Sequence, residues 1–260
     1  MYLNPEQTSE VTDEILFGTA VTVKEKAKNG FLKCITDYGY GGFIRENALC
    51  REKNCFSAQY TVTSPFCPLY QYPECRCEPY LILPRSSTIF KSAEASKNGF
   101  TAVSVNGKTL FANKKHLTPK EKLFTFHSCE HKRAQIAKTA LSYLGTPYLR
   151  AGRTPAGIDC SGLCFTAYSM CGTGLYRDAE FDGRYLRKIS KNELKKSDLI
   201  YYNGHVVMYL GKGYYIHSSA SSGHVTINSF DKNSPLYRKE LDGTQICFAS
   251  SLAFYDTQSV

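Results

Sequence analysis

Three Asn-Gly dipeptides, Asn29-Gly30, Asn98-Gly99 and Asn106-Gly107, punctuate the first 118 residues, each beside short apolar runs. A tight turn of that kind needs positive φ at both central residues, which this pair tolerates, so the flanking runs must fold back as hairpins. Asp37-Tyr38-Gly39 supplies a further turn. The runs between the turns are strand-length: Thr19–Lys24, Gly30–Ile35, Gly42–Ile44, Gln59–Thr63, Tyr80–Leu83, Ser87–Phe90, Phe100–Val105 and Lys108–Ala112. No helical period is present, so this half predicts small all-β structure. Gly30–Cys34 with Gly41–Arg45 is echoed by Gly99–Val103 with Thr109–Asn113, each followed by a polar stretch and a leucine, Leu49 or Leu117. One irregular β domain is the alternative to two such copies.

From about residue 119 the period changes. Ala137, Ala140, Leu141 and Leu144 recur at helical spacing before Gly145 and Pro147, which predicts a helix and its stop. A second helix is predicted from Cys160, with Leu163, Cys164, Ala167, Met170 and Cys171 on its apolar face, Asp159 as N-cap and Gly172 at its end. A third is predicted over Asp178–Arg187. Strands then follow at Asp198–Tyr202, His205–Leu210, Tyr214–His217, Val225–Ile227 and Ile246–Phe254. Helices followed by a run of strands is the α+β pattern.

Composition excludes some classes. Apolar residues make up 42% of the 260 and charged residues 21%, which fits a folded chain rather than a disordered one. No apolar run approaches the ~20 residues of a membrane-spanning helix. The formal charge of +9 suits nucleic acid, an acidic surface, an anionic substrate or simply solubility. No zinc-finger spacing, ribonucleoprotein motif or arginine-rich block accompanies it, so no nucleic-acid partner is expected. The acidic first residues, Glu6, Glu10, Asp13 and Glu14, are unlike a secretory leader. The expectation is cytoplasmic, or secreted after loss of a leader. The eleven cysteines are odd in number and cannot all pair internally. Cys50/Cys55 and Cys75/Cys77 hint at zinc but lack a second pair at ligand spacing.

The chemistry centres on Gly157-Ile158-Asp159-Cys160-Ser161-Gly162. A cysteine in the first turn of a helix has its thiolate favoured by the macrodipole and by unpaired amides, which also suit a developing oxyanion. His205 opens one predicted strand and His217 closes the next, around Gly211-Lys212-Gly213. With a three-residue loop both rings lie on one face, opposite or diagonal. One can then take the thiol proton while the other orients it.

Together with Gly145-Thr146-Pro147-Tyr148, Ser197-Asp198-Leu199-Ile200, His205–Gly211 and Tyr215–Ser218, this segment resembles the NlpC/P60 family of cysteine peptidases over residues 120–255. The resemblance implies a papain-like α+β domain at 119–260 that hydrolyses γ-D-glutamyl–diamino acid bonds of cell-wall stem peptides. Cys160 would be the nucleophile, His205 the base and His217 the orienting residue, with no metal or organic cofactor. The leading β copies resemble a tandem of bacterial SH3-like barrels, 1–56 and 57–118. That arrangement is similar to a subgroup cutting peptides with a free N-terminal L-Ala. In it Tyr148 would line the site, and Asp178 of the Arg177-Asp178 pair would receive the substrate amine, unless it caps the next helix. Asp159 and Ser161 would shape the pocket, Asp159 also as helix cap. An acidic residue of the first barrel would close the site, with Asp37 and Glu46 as candidates. The chain departs from the family's Trp-Gly-Gly after Pro-Tyr, reading Leu149-Arg150-Ala151-Gly152, and has Ser197 for the usual glycine. Arg150 either contacts a substrate carboxylate or is surface charge. A related thiol amidase or acyltransferase, a non-catalytic wall binder and a zinc protein are the alternatives.

Overall fold

The computed structural model describes residues 1–50 and 59–255. The predicted boundary between residues 56 and 57, and Cys55, lie outside them. The chain gathers into two compact units, Met1–Leu123 and Phe124–Val260.

The first unit holds two antiparallel sheets. Strands β1 (Val21–Lys26), β2 (Phe31–Thr36) and β3 (Gly41–Arg45) form a meander. Strands β4 (Gln59–Val62), β5 (Phe66–Tyr70), β6 (Leu81–Pro84), β7 (Thr88–Lys91), β8 (Phe100–Val105), β9 (Lys108–Asn113) and β10 (Leu117–Pro119) pair in the order β10-β4-β7-β8-β9-β5-β6. No pairing among the described residues closes either sheet into a barrel. All three Asn-Gly turns have both residues at positive φ: 59° and 72°, 50° and 78°, 49° and 77°. Val62, Leu69, Leu83, Ile89, Val103 and Leu110 are drawn from across the larger sheet and share one buried cluster. Strand β5 is not among the runs read from the sequence, and Pro68 is an unfavourable residue for a strand interior. It forms nevertheless, with Pro68 opposite Ile82.

The second unit has two α-helices among its described residues, α1 (Cys129–Leu141) and α2 (Cys160–Ser169). A short hairpin, β11 (Arg153–Thr154) and β12 (Gly157–Ile158), leads into α2. Strands β13 (Leu186–Ile189), β14 (Leu199–Tyr202), β15 (His205–Gly211), β16 (Tyr214–Ser219), β17 (His224–Ser229) and β18 (Cys247–Ser251) form one antiparallel sheet, ordered β13-β18-β14-β15-β16-β17. Leu163, Cys164, Ala167 and Tyr168 of α2 are wholly buried, and α2 packs on β15 and β16. The predicted third helix over Asp178–Arg187 is absent. Asp182 instead folds back onto Arg184, accepting its backbone N–H at 2.8 Å and its guanidinium at 2.6–3.1 Å. Leu186 then pairs with Ser251 as β13 begins. A local side-chain turn has outcompeted a weak helical pattern.

Ser197 sits at φ 70° and is wholly buried. Its N–H donates to Tyr209 O (2.7 Å), its C=O accepts from the Tyr168 hydroxyl (2.6 Å), and its own hydroxyl has no partner. The backbone is therefore held in a conformation that costs a side chain about 1–2 kcal/mol. Ser197→Gly is expected to stabilise the chain by about 1 kcal/mol, a rise of roughly 2–4 °C in Tm. An unchanged or lower Tm in thermal unfolding would contradict this.

Candidate active site

The glycines around Cys160 exist for close approach. A Cβ on Gly162 would lie 2.3 Å from Gly152 O and 2.8 Å from Asp159 Oδ1, and one on Gly152 would lie 2.5 Å from Gly157 O. The loop 149–152 is thus pressed against the first turn of α2. Asp159 caps that turn, accepting from Gly162 N at 2.5 Å. Cys160, the first helical residue, is buried.

Strands β15 and β16 pair at Met208↔Ile216, Tyr209↔Tyr215 and Gly211↔Tyr214, with a bulge at the turn. The pairing stops short of His205 and His217, while β16 stays paired with β17 as far as Ser219↔His224. Extending the register would place His205 diagonal to His217, as the hairpin reading allowed. Where the strands part, the Val206 amide hydrogen-bonds the Cys160 sulfur. His205 Nε2 and His217 Nδ1 are 2.7 Å apart, with the rings edge-on. His217 Nε2 lies 2.9 Å from Asn228 Oδ1. The structure thus brings the two histidines into contact and puts the sulfur one residue along β15 from His205.

Burial decides the charge states. It pushes the Cys160 thiol up to about 11, with Asp159 adding to the shift and the Val206 and Ser161 amides and Arg177 opposing it. It brings His205 down to about 4, helped by His217, and lowers His217 as well.

A buried cysteine capped by Asp159, beside a chain of two histidines on a splayed hairpin, is what the comparisons bear on. The NlpC/P60 family profile matches residues 145–242. Dipeptidyl-peptidase 6 of Lysinibacillus sphaericus is 34% identical over 254 residues, 94% of this chain and 93% of that protein. The chain belongs to the NlpC/P60 family. It is a cysteine-type peptidase of this cell-wall hydrolase family. The gamma-D-glutamyl-L-lysine dipeptidyl-peptidase of Bacillus cereus is 34% identical over 118 residues, 42% of this chain and 35% of that longer protein. A crystal structure of an NlpC/P60 protein from Bacillus cereus superposes with a TM-score of 0.74 over 91% of this chain and 81% of that one. At 24% identity it shows the fold alone.

Other residues anticipated for this NlpC/P60 site fall into two groups. Asp159 and Ser161 are engaged internally. Asp159 Oδ1 accepts from Gly162 N, Ser161 Oγ (3.2 Å) and Arg177 Nη1 (3.2 Å), and Oδ2 from Ala151 N (2.8 Å) and Arg177 Nη2 (3.2 Å). Arg177 also donates to Ser161 Oγ at 2.9 Å and is 1% exposed. The sequence drew no role for Arg177 beyond its place in the Arg-Asp pair.

Tyr148 and Asp178 face more open surroundings. Burial raises the Tyr148 phenol, with Cys160 and Asp159 next in effect, so Tyr148 stands near the nucleophile. Asp178 is half-buried and accepts a hydrogen bond from Tyr176. No helix follows Asp178, so the capping alternative falls. Asp178 and Arg150 line a cleft of ≈ 540 Å³ with Phe181, Tyr201, Tyr202 and Asn203. The lining reaches Gly204, the residue before His205. In the first unit, Asp37 and Glu46 are exposed, and Glu46 lies 3.8 Å from Lys26. Among the described residues no three histidine, cysteine or carboxylate side chains gather as metal ligands. Cys160, Cys164 and Cys171 of the second unit are buried and unbridged.

Proposed function

We propose that the chain removes an L-Ala–γ-D-Glu dipeptide from cell-wall stem peptides with a free amino terminus, by cleaving the γ-D-glutamyl–diamino acid amide. The observation that carries it is the Cys160 sulfur at a helix N-terminus beside the His205–His217 pair. Two relatives named as dipeptidyl-peptidases support the free-amine requirement, one named for the γ-D-glutamyl-L-lysine bond. Such an enzyme must read an ammonium two residues from the scissile bond. A carboxylate in a partly closed cleft can do so, and Asp178 is placed in one.

In this reading His205 takes the Cys160 proton as sulfur attacks the γ-glutamyl carbonyl, with the Cys160 N–H at the oxyanion. The imidazolium then protonates the leaving amine, and His205 activates the water that hydrolyses the thioester. His217 orients His205, and Tyr148 lines the acyl side. Two SH3-like modules, 1–56 and 57–118, belong to the same reading, supported by separate buried clusters beneath the three- and seven-stranded sheets. The reading sets the reaction in the cytoplasm, where free-amine fragments of the wall would be its substrate.

The test is product analysis of L-Ala-γ-D-Glu-L-Lys and its diaminopimelate counterpart, free and N-acetylated. Only the free forms should be cut, yielding the dipeptide. Asp178→Asn should lower kcat/KM on them by about 10- to 100-fold, the 1.5–3 kcal/mol of a hydrogen bond to a charged group. Equal cleavage of acetylated peptides would overturn the amine-reading role, and no cleavage of either would overturn the substrate class.

A further inference from the structure

We propose that Asn228 is a positioning residue that fixes the tautomer of both histidines and so leaves His205 Nδ1 bare as the base; this rests on the catalytic reading above. Asn228 is 2% exposed, on β17 beside His217. Its Nδ2 lies 3.1 Å from Leu236 O, which also takes the Ser229 amide at 2.9 Å. A backbone carbonyl only accepts, so the amide nitrogen must face it and Oδ1 must face His217. Oδ1 likewise only accepts, so His217 Nε2 carries its proton. The neutral His217 ring then has a bare Nδ1, which accepts from His205 Nε2–H across 2.7 Å. Neutral His205 has one proton, already spent on that bond, and its Nδ1 is a lone pair. One carbonyl at the far end of the relay therefore sets the basic atom at the near end, three side chains away. Burial favours the neutral rings this ordering needs.

Two roles for Asn228 predict different variants. If it only ties the 230–236 loop through Leu236 O, Asn228→Asp loses that donor as surely as Asn228→Leu does. If it sets the tautomer, Asn228→Asp keeps the acceptor for His217 and works, while Asn228→Leu does not. The primary readout is the ¹⁵N spectrum of the histidine rings in the wild-type protein, with His205→Gln and His217→Gln for assignment. Both rings should be neutral at pH 7 with the proton on Nε2. A proton on Nδ1 of either ring would overturn the proposal, whatever the variants do. Asn228→Leu should mix the His217 tautomers. It should also slow iodoacetamide alkylation of Cys160, followed by peptide mass spectrometry, and lower kcat by about 10–100-fold with KM little changed. Asn228→Asp should recover to within about fivefold of wild type. Equal losses in the two variants, or full alkylation and activity in Asn228→Leu, would overturn it. The spectrum and the alkylation need no substrate. Failure to cleave any stem peptide would therefore count against the proposed function without touching the tautomer assignment.

Discussion

Cys160→Ala is expected to lower stem-peptide hydrolysis by about 10⁶-fold in kcat, to the level left by binding and the oxyanion site alone. KM should change little, because the lost group acts at the reacting carbonyl and not on the ground-state peptide. Cys164, one turn along α2, is wholly buried and its thiol is raised well above its ordinary range by burial, so it cannot substitute. The pH dependence follows from the same site. With His205 down at about 4 and the Cys160 thiol up at about 11, thiol and imidazole are both neutral between those values. The proton then moves during attack rather than before it. Protonating His205 removes the base, so kcat/KM should fall as pH drops through about 4 and hold level from about pH 5 to 8. A limb near pH 6.5, or hydrolysis by Cys160→Ala within about 100-fold of wild type, would sink this assignment.

Asp159→Ala should cost about 3–5 kcal/mol of stability. The replaced carboxylate is a helix cap, worth about 1 kcal/mol by itself. The larger part comes from Arg177, which is 1% exposed and would be left as a buried guanidinium without its bidentate partner. Ala151 N and the Gly162 amide would lose their acceptor as well. Urea or thermal unfolding measures the loss. Adding Arg177→Met to Asp159→Ala should restore more than half of it, because the buried charge that lost its carboxylate is then gone. A loss below about 1.5 kcal/mol, or a double variant no better than the single, would show that the pair contributes little.

How much of this was legible beforehand differs by element. The Asn-Gly turns were, because positive φ at Asn29-Gly30, Asn98-Gly99 and Asn106-Gly107 is a property of two adjacent residues. The cap of α2 by Asp159 was, and so was the shared face of His205 and His217, since alternation along two linked strands needs only a count. Strand β5, with Pro68 in its interior, was not. The turn at Asp182 was hidden because its bond to Arg184 competes with a helix by margins no pattern exposes. Ser197 gave no sign that it stands at positive φ, which is imposed by the Tyr209 and Tyr168 partners.

The sequence by itself determined the local things: where the chain turns, which helix begins at the cysteine, and which residue types the chemistry would need. Only the tertiary structure decided what those residues do. It parted β15 from β16 ahead of the histidines and turned the Val206 amide to the sulfur. It closed Arg177 onto Asp159, and it ran the relay from His205 through His217 and Asn228 to the Leu236 carbonyl. Those contacts join residues distant along the chain. Their geometry is set by packing and by the need to pair every buried polar group, and neither constraint is written in any short stretch of sequence.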